Sequence, residues 1–464
     1  MANVILKARH NYKIFGAEWD KQPTPTLTRT GSAKGLVANV GTDNNIVVNQ
    51  FDSLPIWGEI KDVIDSYGNV FMEIPKTYIG KLDEVNKKGW YVSKARHRNF
   101  YLPWFFWDFV NNKELPCAYF GKYKGTSDGG GTPKLESKPD KYPLCNVSLP
   151  GFRTMALANN TGGRQGYQLY DIHAHDLITT LMFVEFATLN MQSVMFGFGN
   201  GYYGALHVAL VAETGVNRIV VTNAQGATYR IGQTISIHVA AQSASPWNLP
   251  ATYGRTITAI DTDTPAAGQT TITFDGATVN IALNDFVMNT GWRNGFSSAI
   301  AASSGSLVSN VDGKYPCVYR GIEDPYAGIW QFVDGININS NVTTPLHESW
   351  VCAAAADYAS NVFAAPYEKL SYNNAIASAY VKEMGWDENH PYAAIPVVAD
   401  HSGASASAYY CDYYFVSSST GARSALVGGR WDIGAFAGPS GWSLSGTSAN
   451  AGVNVGGRLL KKAL

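Results

Sequence analysis

The sequence predicts an α+β protein that is dominated by β-strands, and three observations lead to this class. Short runs rich in aromatic and β-branched residues alternate with glycine- and proline-containing turns along most of the chain. Residues 168–190 have the apolar spacing of a long helix. Residues 205–290 lose the aromatic and charged character of their flanks and become a series of short β-branched runs. We therefore expect a mixed domain that is interrupted by an all-β domain.

Length and charge restrict the function classes. At 464 residues the chain is too long for one compact core. Lys and Arg number 35 against 36 Asp and Glu, so no excess of positive charge favours nucleic acid as a partner. No apolar run is long enough to span a bilayer, and we expect no membrane insertion. The five cysteines lie far apart without a C-x-x-C pair, which predicts reduced, buried thiols.

The first 95 residues predict a β-rich region. Residues 12–20 and 24–30 are typical of short strands separated by a proline break, and a further strand is predicted at residues 72–78. Residues 98–110 then form the most aromatic stretch of the chain. Such a run usually packs into a core or an interface, and a solvent-facing ligand platform is the alternative.

The predicted helix has a repeat at helical spacing that is formed by Leu177, Leu181, Val184 and Thr188. His173, His175 and Asp176 near its start resemble metal ligands, but further ligands at suitable spacing are missing. We therefore expect a capped helix start and no metal.

Residues 205–290 predict a small all-β domain of the immunoglobulin-like sandwich kind. Its β-branched runs at residues 217–222, 234–239, 255–260 and 270–274 have the length and spacing of short strands. Glycine-rich segments at residues 197–201 and 291–295 flank it. This arrangement indicates an insertion into a loop of a domain made of residues 96–204 and 291–464.

Two segments of the later chain have recognisable patterns. In residues 317–335, Arg320 and Glu323 are expected to pair near a turn, and Trp330 and residues 332–333 are expected to enter the core. In residues 408–416, a strand is expected to place Tyr410, Asp412 and Tyr414 on one face. Tyr409, Cys411, Tyr413 and Phe415 would then occupy the other face.

Residues 428–438, near the end of the given sequence, have the pattern Gly-Gly-x-Trp-x-x-Gly-x-x-Ala-Gly. A Ser/Asn/Gly run and Arg458 follow this pattern. We call residues 428–438 the closing motif. Its glycines permit positive φ and close approach of the backbone. The aromatic and polar side chains among them are typical of a binding surface.

The closing motif and residues 317–335 resemble C-type-lectin-fold proteins of tailed phages and prophages. That group includes tail-fibre receptor-binding proteins and the tropism determinants that diversity-generating retroelements vary, and it shares a fold with formylglycine-generating enzymes. The resemblance implies a C-type-lectin-like domain at residues 96–204 and 291–464. It also implies receptor-contacting positions, which are Arg430, Asp432, Ile433, Ala435, Phe436, Ser440, Trp442 and Ser443. The scaffold positions that it implies are Gly428, Gly429, Trp431, Gly434, Gly438 and Arg458.

The sequence does not show the residue patterns that the enzymatic alternatives require. Formylglycine-generating enzymes need a late copper-binding cysteine pair, and this chain has no cysteine after Cys411. A glycosidase needs two facing carboxylates, and the spacing brings no pair together. The adjacent Asp400, His401 and Ser402 do not suit a catalytic triad. We expect neither catalysis nor a cofactor.

These inferences lead to a functional expectation. The protein is expected to be a virion component of a tailed phage, made in the host cytoplasm and forming a homotrimer. Its partners would be a glycan or protein receptor on the host surface and other virion proteins. The alternative is a head-fibre, capsid-decoration or baseplate protein that makes mainly protein–protein contacts.

Overall fold

The computed structural model describes residues 13–38, 49–296, 313 and 315–464. Within these residues strands far outnumber helices, and the prediction of a β-dominated fold is confirmed at this level. The helices are α1 (Leu149–Leu157), α2 (Ile172–Phe186) and the single turn α3 (Asn223–Gly226). The predicted helix at residues 168–190 is thus confirmed as α2, with narrower bounds.

The strands of the first part of the chain form an antiparallel sheet in the order β2-β1-β6-β5-β7 and part of a second sheet. The strands are β1 (Phe15–Trp19), β2 (Thr28–Gly31), β3 (Lys61–Ile64), β4 (Val70–Pro75), β5 (Tyr78–Glu84), β6 (Lys87–Ser93), β7 (Phe100–Tyr101), β8 (Trp107–Asp108), β9 (Lys113–Glu114), β10 (Cys117–Gly121), β11 (Thr126–Ser127), β12 (Leu135–Glu136) and β13 (Tyr167–Leu169). The predicted strand at residues 12–20 corresponds to β1, and that at residues 72–78 to most of β4.

The middle of the chain forms a sheet of its own in the order β15-β18-β17-β16-β20, beside a two-stranded sheet of β14 and β19. The strands are β14 (Glu213–Val216), β15 (Arg218–Thr222), β16 (Gln233–His238), β17 (Thr252–Thr262), β18 (Gln269–Phe274), β19 (Val279–Ile281) and β20 (Phe286–Trp292). The four β-branched runs predicted as strands correspond to β15, β16, β17 and β18. Their inward side chains, such as Ile219, Ile257 and Ile272, form a separate apolar cluster.

The last part of the chain forms a nine-stranded sheet in the order β25-β24-β23-β29-β30-β28-β26-β27, with β31 added parallel to β23. The strands are β21 (Val318–Tyr319), β22 (Ile322–Glu323), β23 (Trp330–Asn341), β24 (Leu346–Val351), β25 (Glu368–Asn374), β26 (Ala379–Gly385), β27 (Ile395–Asp400), β28 (Tyr413–Phe415), β29 (Gly421–Gly428), β30 (Gly438–Ser443), β31 (Val455–Gly456) and β32 (Leu459–Lys462). Strand β32 leaves this sheet and lies between β13 and β10 in the order β13-β32-β10-β4-β3.

The largest core is built around α2. The helix starts at Asp171, whose side chain accepts a hydrogen bond from the Ala174 backbone N–H at 2.9 Å, so the expected capped start is confirmed. It contacts β1 and β6 of the first sheet and β23 of the nine-stranded sheet. Its apolar side chains share one cluster with Trp90 and Trp442. Helix α2 therefore joins the first and last parts of the chain through a common core.

The segment at residues 317–335 is partly as predicted. Trp330, Phe332 and Val333 are buried, which confirms their expected place in the core. The expected pairing of Arg320 with Glu323 is wrong. Arg320 instead forms a salt bridge with Glu185 of α2, because these two groups are brought together by the fold rather than by the sequence.

The strand predicted at residues 408–416 is shorter than expected and comprises only β28. Tyr409 and Cys411 have φ angles of 61° and 64°, which interrupt extended backbone. The side-chain alternation nevertheless holds in part, since Tyr410, Asp412 and Tyr414 are fully buried. All five cysteines are buried and free, as predicted.

Candidate functional site

A half-open cleft of about 410 Å³ lies beside the closing motif. Its walls come from β23, β28 and β29, from the closing motif, from the end of β30, and from the Ser/Asn/Gly run that leads into β31. We call it the C-terminal cleft. The lining residues are Trp330, Phe415, Leu426, Arg430, Asp432, Ile433, Phe436, Ser443, Ser445, Asn450, Asn454 and Val455. Five of the eight predicted contact positions line this cleft, namely Arg430, Asp432, Ile433, Phe436 and Ser443.

Two glycines turn the chain from β29 into the loop that borders the cleft. Gly428 and Gly429 have φ angles of 92° and 90°, in the region that favours glycine. A Cβ atom on Gly429 would lie 2.7 Å from the Cβ of Ala437, at the far end of the same loop. The loop therefore closes tightly on itself at Gly429, and the positive φ angles of both glycines agree with the scaffold role that the resemblance implies.

Trp431 holds the closing motif against a buried apolar cluster. Its side chain is fully buried, and its indole N–H donates to the carbonyl of Tyr202 at 3.1 Å. It shares an apolar cluster with Phe198 and with Trp292 of β20. The scaffold role predicted for Trp431 agrees with this burial. The loop thus packs on Phe198 and Trp292, which lie in sequence just before and just after residues 205–290. We call residues 205–290 the middle segment.

Arg430 and Asp432 form the charged edge of the cleft. The Arg430 guanidinium donates through Nε to Asp432 Oδ1 at 2.6 Å and through Nη2 to Oδ2 at 3.2 Å. It also lies over the ring of Tyr203, with its carbon 4.5 Å from the ring centre. The Arg430 side chain is still 24% exposed. The pair therefore offers both a cationic donor and an anionic acceptor, each held in place, to a ligand in the cleft.

Aromatic rings form the opposite wall. Phe436 stacks on Tyr413 with centroids 4.2 Å apart, and Phe415 lies edge-on to Trp330 at 6.0 Å. Phe436, Tyr413 and Phe415 are all half-buried, so their faces are partly open to solvent. Supported, partly exposed rings can contact a ligand with little loss of side-chain entropy. Tyr413 and Phe415 share the face that the sequence predicts to lie opposite Tyr410 and Tyr414.

Hydroxyl and amide groups complete the cleft. Ser443 Oγ and Ser445 Oγ are 2.8 Å apart, and Asn450 and Asn454 lie on the run that follows. The Asn454 carbonyl accepts from the Trp330 backbone N–H at 3.0 Å, which holds this run against β23. Aromatic faces beside hydroxyl, amide and guanidinium groups suit a ligand that has both apolar faces and many polar substituents.

Two of the predicted contact positions are buried away from the cleft. Trp442 is fully buried, and its ring packs edge-on to His175 of α2 with centroids 5.6 Å apart. Ser440 is also buried, and its backbone N–H donates to Asp412 Oδ2 at 2.8 Å. Both expectations of surface display are wrong, because β30 is an interior strand between β29 and β28. Ala435 is half-buried, but it is not among the cleft residues.

A buried carboxyl group supports the turn into β30. Asp412 Oδ1 lies only 2.0 Å from where a Cβ atom on Gly438 would stand, so no other residue fits at position 438 without rearrangement. Burial raises the pKa of Asp412 well above its ordinary value, while the Ser440 N–H lowers it in part.

Arg458 anchors the end of the Ser/Asn/Gly run. Its guanidinium is buried and donates to the carbonyl oxygens of Gly121, Lys122, Glu323 and Asp324 at 2.7–3.1 Å. It also donates to the Gln331 side chain at 3.1 Å. One side chain thus ties two distant parts of the chain, residues 121–122 and 323–331, to the C-terminal segment, as expected of a scaffold position.

The histidines at the start of α2 are core residues. His173 stacks on Tyr392 with centroids 3.7 Å apart, and burial lowers the pKa of His175 to about 3. In the described ranges, no group of three or more His, Cys, Asp or Glu side chains is arranged to hold a metal ion.

Several cleft residues were not identified from sequence. Trp330 and Leu426 were not predicted as cleft residues because their sequence patterns are those of core strands. Asn450 and Asn454 were not predicted because they fall in a low-complexity run. Ser445 belongs to the same run. The available signal was the predicted alternation in residues 408–416, which places Phe415 on the face opposite Tyr410 and Tyr414.

Comparison with known proteins adds no assignment. No protein-family model matches the chain. A search of curated proteins gave no significant match. Among the described residues, no helix has the length and apolar character needed to cross a membrane.

Proposed function

We propose that this protein is a virion component of a tailed phage and that it recognises a host-surface receptor through the C-terminal cleft. In this proposal residues 96–204 and 291–464 form a C-type-lectin-like domain, and the middle segment is an inserted β-sandwich. The protein acts by binding and without catalysis. It assembles as a homotrimer with other virion proteins.

One observation carries the proposal. The half-open cleft beside the closing motif combines a stacked aromatic wall with the Arg430–Asp432 pair and with hydroxyl and amide groups. Sugar rings present apolar faces and hydroxyl groups at once, so a glycan receptor fits this set of side chains best. The resemblance of the closing motif to receptor-binding phage proteins leads to the same region.

Host cells and a matched pair of variants test the proposal. Purified protein should bind the surface of susceptible cells and block phage adsorption, and Arg430→Ala should reduce binding by about tenfold or more because a charge-assisted contact is lost. Arg218→Ala is the control. Arg218 is also an arginine paired with a carboxylate, Glu213, but it lies on β15 outside the cleft. Equal binding by both variants would exclude the cleft as the receptor site.

A second candidate function has its own supporting observation. Val239, Trp247 and Leu249 are near one another in sequence and between 45% and 54% exposed, which favours a protein partner on the middle segment. This would suit a head-fibre, capsid-decoration or baseplate protein. Immunogold labelling of the capsid, together with unchanged adsorption in the presence of purified protein, would favour this alternative over receptor binding.

A further inference from the structure

A second open cavity, of about 500 Å³, lies in the aromatic stretch of residues 98–110, and the C-terminal cleft shares none of its residues. We call it the aromatic groove. Its lining residues are Tyr78, Arg96, Phe100, Tyr101, Leu102, Trp104, Trp107, Phe109 and Glu114.

The aromatic stretch divides into an inward and an outward set. Phe105 and Phe106 are buried in the main core. Trp104 and Phe109 instead stack on each other at the groove, with centroids 4.9 Å apart and planes 14° from parallel. Phe109 is 45% exposed. The Lys462 ammonium lies 4.9 Å from the centre of the Phe109 ring, so the fold covers the stacked pair only in part. The exposed remainder forms a supported apolar platform, which is the alternative that the sequence left open for this stretch.

The charges around the groove are unequal. Glu114 accepts from Lys76 Nζ at 2.6 Å and from the Tyr78 hydroxyl. Although burial opposes it, these two hydrogen bonds lower the pKa of Glu114, so the carboxylate stays charged and is neutralised by Lys76. Arg96 is exposed at the same groove and forms no ion pair within the described part of the chain, although its charge also helps to lower the pKa of Glu114. Its guanidinium remains accessible to an anion.

We propose that the aromatic groove binds an acidic sugar unit of a glycan. The stacked rings of Trp104 and Phe109 would contact the apolar face of the pyranose ring, and Arg96 would bind its carboxylate through its two-pronged guanidinium. Glu114 retains acceptor capacity for a sugar hydroxyl, since two hydrogen bonds do not fill its carboxylate oxygens.

Other ligand classes fit this groove less well. A peptide that adds a strand would need a long free edge, and the edge strand here, β7, has only two residues. A nucleic acid would need a larger positive field, whereas the chain as a whole has a formal net charge of −1. A single acidic sugar needs only one cation beside an aromatic platform, and this is what the groove provides.

The test is a titration of the full-length protein with trigalacturonate, followed by tryptophan fluorescence and calorimetry. Maltotriose serves as the neutral sugar, hexaglutamate as the acidic peptide and oligo-dT as the nucleic acid. We expect saturable binding of trigalacturonate that Arg96→Gln weakens by at least about tenfold. Arg98→Gln, an exposed neighbour outside the groove, should bind trigalacturonate like the wild type. Phe109→Ala should weaken binding without changing the circular dichroism spectrum.

The proposal would be overturned by the absence of saturable trigalacturonate binding, by equal loss in Arg96→Gln and Arg98→Gln, or by binding of hexaglutamate or oligo-dT as tight as that of trigalacturonate. The variant Phe436→Ala separates this site from the C-terminal cleft. It should leave trigalacturonate binding unchanged, so failure of either site can be recognised without reference to the other. Loss of trigalacturonate binding in well-folded Phe436→Ala would place the sugar in the cleft and refute the groove.

Discussion

Replacing Trp442 by Ala should destabilise the fold strongly, even though the closing region resembles a receptor-contacting surface. The indole ring is fully buried against His175, in an interior strand of the nine-stranded sheet. Removing such a side chain from a core typically costs about 3–5 kcal/mol, because the apolar contacts are lost and a cavity remains. The Trp442 indole N–H has no acceptor within the described residues. Trp442→Phe should therefore cost less, about 1–2 kcal/mol.

Phe436→Ala provides the contrasting variant. Phe436 is half-buried and stacks on Tyr413 at the cleft wall, so its truncation should lower the free energy of unfolding by about 1 kcal/mol. Urea unfolding followed by near-ultraviolet circular dichroism gives the stability of each variant, and binding to susceptible cells gives its function. We expect Trp442→Ala to lose stability first, and Phe436→Ala to lose binding while it remains folded.

The opposite pattern would refute this reasoning. If Trp442→Ala unfolded at the same urea concentration as the wild type but failed to bind cells, Trp442 would have to be exposed, and the interior position of β30 would be wrong. If Phe436→Ala lost several kcal/mol, its ring would belong to the core rather than to the cleft wall.

Three further outcomes follow from buried groups. Gly438→Ala should destabilise the protein by about 1–3 kcal/mol because the new Cβ would collide with Asp412, and Asp412→Ala should partly rescue it in a double-mutant cycle measured by urea unfolding. Burial raises the pKa of Asp171 from 3.8 to about 7, so its contribution to stability is present below pH 3.8 and is lost as the pH rises towards 7. Asp171→Asn should flatten that decline in unfolding free energy between pH 4 and 7, and an unchanged slope would contradict the burial of this group. Arg458→Met should remove the guanidinium that donates to four backbone carbonyls, of which only that of Lys122 is known to keep a second donor, the Glu323 N–H, and it should reduce soluble yield. A variant as stable as the wild type would show that these hydrogen bonds are dispensable.

The spacing of residues that are close in sequence was sufficient to predict one helix and several strands. The 3.6-residue spacing of Leu177, Leu181 and Val184 identified α2, and the β-branched runs identified β15 to β18. Alternation in residues 410–415 separated the buried Tyr410 and Tyr414 from the half-buried Phe415. The cysteines were correctly predicted as buried thiols from their number and spacing.

Features that depend on which strands become neighbours could not be predicted. Alternation along β30 does not reveal that both of its faces are covered, and so Trp442 and Ser440 were expected at the surface. Arg320 was expected to pair with the nearby Glu323, but Glu185 reaches it from α2 through the tertiary fold. The C-terminal cleft combines residues of five separate segments, and no spacing rule brings Trp330 next to Asn454.

The position of β32 has a consequence for synthesis. Strands β10 and β13 are not direct neighbours, and each hydrogen-bonds to β32, which is translated long after both. During translation their facing edges stay open until residues 459–462 have left the ribosome, and open edges invite pairing with other nascent chains. A chain truncated before residue 459 would therefore lose more than a tail. It would be left with a split sheet in its first half, and it should be recognised by chaperones and proteases rather than accumulate as a partly functional product.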